Sequence, residues 1–203
     1  MAVLKLGFLA SHGGSNMQAI VDACKHGHLH GEARVLISNN SQSGAGARAR
    51  DEGISFYHLS GKTHSAPGAL DRAILAVLIE HEVEVVCLAG YMKKLGEQTL
   101  AAYAGRIVNI HPALLPQFGG QGMYGMRVHA AVLNAGAKES GVTVHLIDGE
   151  YDQGRILAQE VVPVLAGDTP EELQERVLKV EHRLYSATLQ KIATGEIALS
   201  DRV

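Results

Sequence analysis

A chain of 203 residues, 46% hydrophobic and 19% charged, is long enough to bury a core without disulfides or metal, and its composition excludes a disordered chain. A formal net charge of −3, with no block of like charges, argues against nucleic acid or an anionic membrane as a partner. A small molecule fits better.

The first apolar run, "VLKLGFLA" at 3–10, is too short to span a membrane and is not followed by a secretory cleavage site, so the expected compartment is the cytoplasm. It leads into "ASHGGSNMQAI", where two adjacent glycines precede a helical pattern. Glycine permits a sharp turn and close approach of a ligand, and the unpaired first-turn amides with the helix dipole favour an anion. Ser15 and Gln18 have capping-box spacing, which makes Ser15 the expected start of the helix, with Gly14, Ser15 and Asn16 supplying amides. The alternative is a well-capped tight turn with no ligand, since the motif is neither a Walker nor a dinucleotide fingerprint. Met17, Ile20, Val21 and Cys24 form one helical stripe.

Further Val, Ile and Leu runs follow: "ARVLISN" at 33–39, "ISFYHL" at 54–59, "VEVVCLAG" at 83–90 and "RIVNI" at 106–110. Helical patterns such as "GALDRAILAVLIEHE" separate them, which is the signature of a parallel sheet. Cys24 and Cys87 sit far apart in apolar stretches and read as reduced core thiols. The cluster His26, His28 and His30 has no carboxylate or cysteine at ligand spacing, so no metal site is expected.

The fifth run ends in a polar interruption, "NIHP". In open parallel sheets ligands bind beyond the carboxyl ends of the strands, and the residue before a proline stays extended. Asn109 and His111 therefore share one face of the strand at its functional end, where an amide and an imidazole can converge on one developing oxyanion. A carboxylate near His111 would hold the ring and raise its pKa. Asp148, Glu150 and Asp152 in "DGEYDQG" are the candidates, and spacing does not choose among them. His145 alternates in a strand and reads as a core residue with a backbone partner. "GVTVHLID" and "GRILAQEVVPV" flank that loop at antiparallel spacing, giving a mixed sheet. The last segment opens with Asp168 or Thr169 as N-cap and Pro170 at the first helical position, with Leu173, Val177, Val180, Leu184 and Ala187 as its buried stripe. The expected fold is a single-domain, Rossmann-like α/β unit with a mostly parallel sheet, an antiparallel pair and a long C-terminal helix.

"SHGGSNMQAI", "VVCLAGYMKKL", "GRIVNIHPALLP", "GVTVHLIDGEYDQGRILAQ" and the late "VEH", in this order over nearly the whole chain, resemble the folate-dependent phosphoribosylglycinamide formyltransferases. Asn-x-His-Pro followed by Leu-Leu-Pro is shared across 10-formyltetrahydrofolate hydrolases and transferases, and the glycine loop with Ser15 and Asn16 points to the ribonucleotide branch. The resemblance implies one formyltransferase domain over 1–203, phosphate-binding to about 105 and folate-binding and catalytic from about 106. It makes Asn109, His111 and Asp152 the catalytic set. It puts glycinamide ribonucleotide on Gly13, Gly14, Ser15, Asn16 and Glu181. The 10-formyltetrahydrofolate co-substrate falls against Met92, Lys93, Lys94, Leu95, Asn109, Asp148, Gly149, Glu150, Tyr151 and Asp152. It implies no metal, a monomer or homodimer, and no nucleic-acid or membrane partner. Ala113 stands where many relatives carry Ser, and Gln121 where similar sequences carry Lys. The competing readings are a formyltetrahydrofolate deformylase, for whose N-terminal domain no room is expected ahead of residue 3, and a nucleotide-binding module without turnover.

Overall fold

The computed structural model describes residues 3–147, 149 and 152–199. Strands β1 (Leu4–Leu9), β2 (Gly31–Ser38), β3 (Ser55–His58), β4 (Val85–Leu88), β5 (Ile107–His111), β6 (Glu139–Leu146) and β7 (Ile156–Pro163) form one sheet in the order β3-β2-β1-β4-β5-β6-β7. β1 to β5 run parallel, β6 is antiparallel to β5, and β7 to β6, as the spacing of the late runs predicts. Strand order reverses between β1 and β4, which makes the loops after those strands the natural ligand crevice.

Helices α1 (Ser15–Lys25), α2 (Gly44–Asp51), α3 (Ala69–Glu80), α4 (Glu97–Ala102), α5 (Met126–Asn134) and α6 (Pro170–Ala193) complete the chain. Two apolar layers result. One contains Met17, Ile20, Val132, Val177 and Tyr185 from α1, α5 and α6; the other contains Ile74, Leu78, Leu95 and Tyr103 around α3 and α4. Along β5 the side chains alternate between them. Val108 and Ile110 join the first layer and Ile107 the second, so Asn109 and His111 project towards the second.

Three local expectations need correction. Gly14, in left-handed geometry at φ 71, is the N-cap of α1, and no side chain caps the helix; Gln18 bonds Asp22 and Glu52 instead. A Cβ on Gly14 would lie 2.6 Å from the Ala45 Cβ, so α2 presses on the turn and only glycine fits. The α6 stripe is also rotated from the one expected: Leu173 and Val177 are buried with Glu181, Tyr185, Thr188 and Leu189, while Ala187 is exposed. Tyr185 explains the rotation, because its hydroxyl donates to the Val108 carbonyl at 2.8 Å and ties α6 across β5. Cys24, finally, is half-buried, and only Cys87 is fully enclosed; both thiols are free, and burial pushes Cys24 up to about 11. Elsewhere the N-cap choice resolves to Thr169, in a reciprocal capping box with Glu172, while Asp168 holds Arg176.

Among the described residues no helix is long and apolar enough to cross a membrane. They also contain no group of three or more metal-ligating side chains, and His26, His28 and His30 are exposed.

Candidate active site

The β1 and β4 loops are tied to one another at the crevice. The Ser11 amide donates to the Gly90 carbonyl at 3.0 Å, and its hydroxyl accepts from the Met92 amide at 2.8 Å. That fixes where the segment from Met92 to Leu95 leaves the sheet. The chain after β5 is anchored by Thr143, whose hydroxyl donates to the Ala113 carbonyl at 2.7 Å and accepts from the Leu115 amide at 3.0 Å. Between these loops lies a cavity of about 510 Å³. Its lining includes Tyr91, Met92, Lys93, Lys94 and Leu95 from the second layer's side, and Asn16, Leu178 and Glu181 from α1 and α6. Asn109, His111, His129, Gly149 and Asp152 line it as well.

Antiparallel pairing sets Asn109 opposite His145, so the two side chains share a face. The buried His145 ring donates through Nδ1 to the Leu146 carbonyl at 2.9 Å, which leaves Nε2 to accept from the Asn109 amide nitrogen at 3.0 Å. This fixes which way the Asn109 amide faces and leaves its second N–H for the cavity. His111 donates through Nε2 to the Phe118 carbonyl at 2.8 Å, and its Nδ1 faces Asp152 at 3.7 Å, an ion-pair separation too long for a hydrogen bond.

Asp152 takes a left-handed backbone, φ 56, an uncommon state for a residue with a side chain. Its carboxylate accepts from the Gly120 amide at 2.9 Å and lies 3.6 Å from His145 Nε2. Burial raises its pKa, but the facing His145 and His111 rings and the Gly120 amide together hold it below the ordinary value. The backbone route that aims it here depends on Gly154, where a Cβ would stand 1.9 Å from the Leu146 carbonyl oxygen. Gly154→Ala is therefore expected to destabilise the protein by about 2–3 kcal/mol, read by denaturant unfolding, with activity falling as the loop shifts.

The expected rise in the His111 pKa is not what the site produces. Desolvation outweighs the attraction of Asp152, so His111 lies below its ordinary value and is largely neutral at neutral pH.

Asn16 reaches the cavity by donating to the Glu181 carboxylate at 2.7 Å, and burial raises the Glu181 pKa. Gly13, Gly14 and Ser15 are beside Asn16 but are not in the lining described above; the Gly13 carbonyl accepts from Arg48 Nε at 3.0 Å. The candidates Asp148, Glu150 and Tyr151 lie outside the described residues. Gln121, for which the sequence suggests no role, is exposed and lines the cavity.

Three groups were not foreseen as site residues. His145 orients Asn109, and a strand-pairing register would have found it. Tyr91 and His129 also line the cavity, and the Tyr91 hydroxyl, His129 Nδ1 and Asn16 Oδ1 are buried without a hydrogen-bond partner among the described residues. Such atoms cost about 1–3 kcal/mol each when left unpaired. Burial and the nearby His111 push His129 down to about 4. Because the unfolded ring binds its proton near 6.5, stability should climb as pH rises from about 4 to 6.5, and be level above that range. His129→Phe is expected to remove up to about 3 kcal/mol of that climb, measured as Tm against pH for the two proteins.

A Rossmann-like sheet whose last parallel strand ends in an amide and an imidazole, with a carboxylate folded back upon them, offers groups of the kind that acyl transfer uses. Residues 4–189 match the formyl transferase family model, and the chain belongs to the formyl transferase family. It is 35% identical over 193 residues to the phosphoribosylglycinamide formyltransferase of Escherichia coli (strain K12), covering 95% of this chain and 89% of that protein. The chloroplastic phosphoribosylglycinamide formyltransferase of Vigna unguiculata is 47% identical over 194 residues, 95% of this chain. This chain spans 62% of that plant protein's length, and 66% and 64% of the chloroplastic phosphoribosylglycinamide formyltransferases of Arabidopsis thaliana and Glycine max. The crystal structure of glycinamide ribonucleotide transformylase 1 from Symbiobacterium toebii superposes with a TM-score of 0.91 at 37% identity, covering 99% of this chain and 92% of that one.

Proposed function

We propose that this chain transfers the formyl group of 10-formyltetrahydrofolate to the amine of glycinamide ribonucleotide, giving the N-formyl ribonucleotide and tetrahydrofolate, a step of purine biosynthesis. The observation that carries this reading is the cavity, which is lined by Asn109, His111 and Asp152 together with Asn16, Tyr91 and His129, each of which keeps a buried polar atom without a partner among the described residues.

In this reading the ribonucleotide occupies the α1 and α6 side, its phosphate on the uncapped turn at Gly13, Gly14, Ser15 and Asn16 and its other end near Glu181. The folate occupies the side of Met92 to Leu95, with Ile147 and Gly149. As the amine attacks, negative charge develops on the formyl oxygen. The free N–H of Asn109 and the His111 ring stabilise it, and the growing charge raises the proton affinity of a ring that begins neutral. The Phe118 carbonyl holds the ring, and Asp152 offsets its charge once it is protonated. A proton then passes from the attacking nitrogen to the departing folate nitrogen. No step calls for a metal. The protein would work in the cytoplasm as a monomer or homodimer, and nucleic acid has no part in the reaction.

The test is to mix the protein with both substrates and follow folate product spectroscopically with and without glycinamide ribonucleotide. Product that depends on the ribonucleotide supports transfer; release at the same rate without it identifies a deformylase and sinks the proposal.

A further inference from the structure

We propose that His129 is a further substrate-contacting residue, its imidazole hydrogen-bonding the glycyl amine of the ribonucleotide beside the reacting carbon. This rests on the formyl-transfer reading above. His129 is 1% exposed, lines the cavity, and keeps Nδ1 buried with no partner among the described residues. A buried imidazole nitrogen without a partner is unfavourable in the free protein and needs a reason. His129 lines the same cavity as Asn109, His111 and Asp152, which puts it in reach of a ligand held at that cluster.

Its place in the fold selects the ribonucleotide over the folate. α5 packs against α6, and Val132 belongs to the same apolar layer as Met17 and Val177 of α1 and α6. Asn16 and Glu181 enter the cavity from that layer, whereas the Met92 to Leu95 segment enters from the other side. The ring is also in a suitable state. A protonated imidazole could only donate, and would engage the amine lone pair that must attack. Burial and His111 hold His129 uncharged at neutral pH, so it accepts one amine N–H and leaves the lone pair directed at the formyl carbon.

Calorimetry with two probes tests the contact: glycinamide ribonucleotide, and ribose 5-phosphate, which lacks the glycyl amine. His129→Phe keeps a ring of similar shape and is expected to weaken ribonucleotide binding by roughly three- to tenfold while leaving ribose 5-phosphate unchanged. His129→Gln, which keeps a hydrogen-bonding group, should recover part of the loss. In turnover the KM for the ribonucleotide should rise in the Phe variant and that for the folate stay put. Unchanged ribonucleotide affinity, or an equal loss for both probes, overturns the proposal. Should His129→Phe fail to fold, nitrogen NMR of the wild-type protein decides: the His129 ring resonances shift with glycinamide ribonucleotide and stay in place with ribose 5-phosphate, and the reverse or no shift overturns it. A wild-type protein that binds the ribonucleotide through His129 but transfers no formyl group would overturn the proposed function and leave this contact standing.

Discussion

His111→Asn is expected to lower the rate of ribonucleotide-dependent formyl transfer by about 10²- to 10³-fold, the usual effect of removing one group that stabilises a developing oxyanion. The shorter amide cannot reach the position of the imidazole and cannot take up a proton as negative charge grows. Ribonucleotide binding should be nearly intact, because Asn16 and Glu181 reach the cavity from α1 and α6 without touching His111. Single-turnover kinetics with calorimetric binding separates the two effects, and full activity in the variant would remove His111 from its role. The loss should not be rescued by raising either substrate.

Asp152→Asn has the next largest expected effect, about 10²-fold on kcat, because it removes the charge that offsets the His111 imidazolium as the oxyanion forms. Asparagine tolerates the left-handed backbone at φ 56, so the substitution removes charge with little strain. The sign of its effect on His111 follows from electrostatics. The carboxylate opposes desolvation and raises the His111 pKa, so its removal should move that pKa further down, visible in an NMR pH titration. Stability should change as well. A carboxyl held below its ordinary value contributes stability at pH above its unfolded pKa of 3.8, lost as pH falls through the folded value; the Asn variant should lack that part of the acid transition.

The parallel strands and the antiparallel pair were legible because Val and Ile runs with intervening helical stripes encode them locally. Asn109 and His111 stood out because a polar interruption at a strand end is costly unless it meets a partner or a ligand. What escaped the sequence depends on contacts between distant residues. The α1 capping box failed because Ala45 presses on Gly14 and forces the left-handed turn, leaving Gln18 to reach Glu52. The α6 stripe turned because the Tyr185 hydroxyl finds the Val108 carbonyl. The direction of the His111 shift depends on burial, which no spacing reports. His145 and His129 read as ordinary core histidines until strand register and packing bring one onto Asn109 and the other into the cavity.

The hydrogen bond from the Gly120 amide to Asp152 joins the glycine loop after β5 to the carboxylate that faces both His111 and His145. Loop position and proton binding are therefore thermodynamically linked, and the linkage runs in both directions. A ligand that presses Gly120 onto Asp152 must make that carboxyl a stronger acid. Protonating Asp152 must loosen the loop by the same free energy.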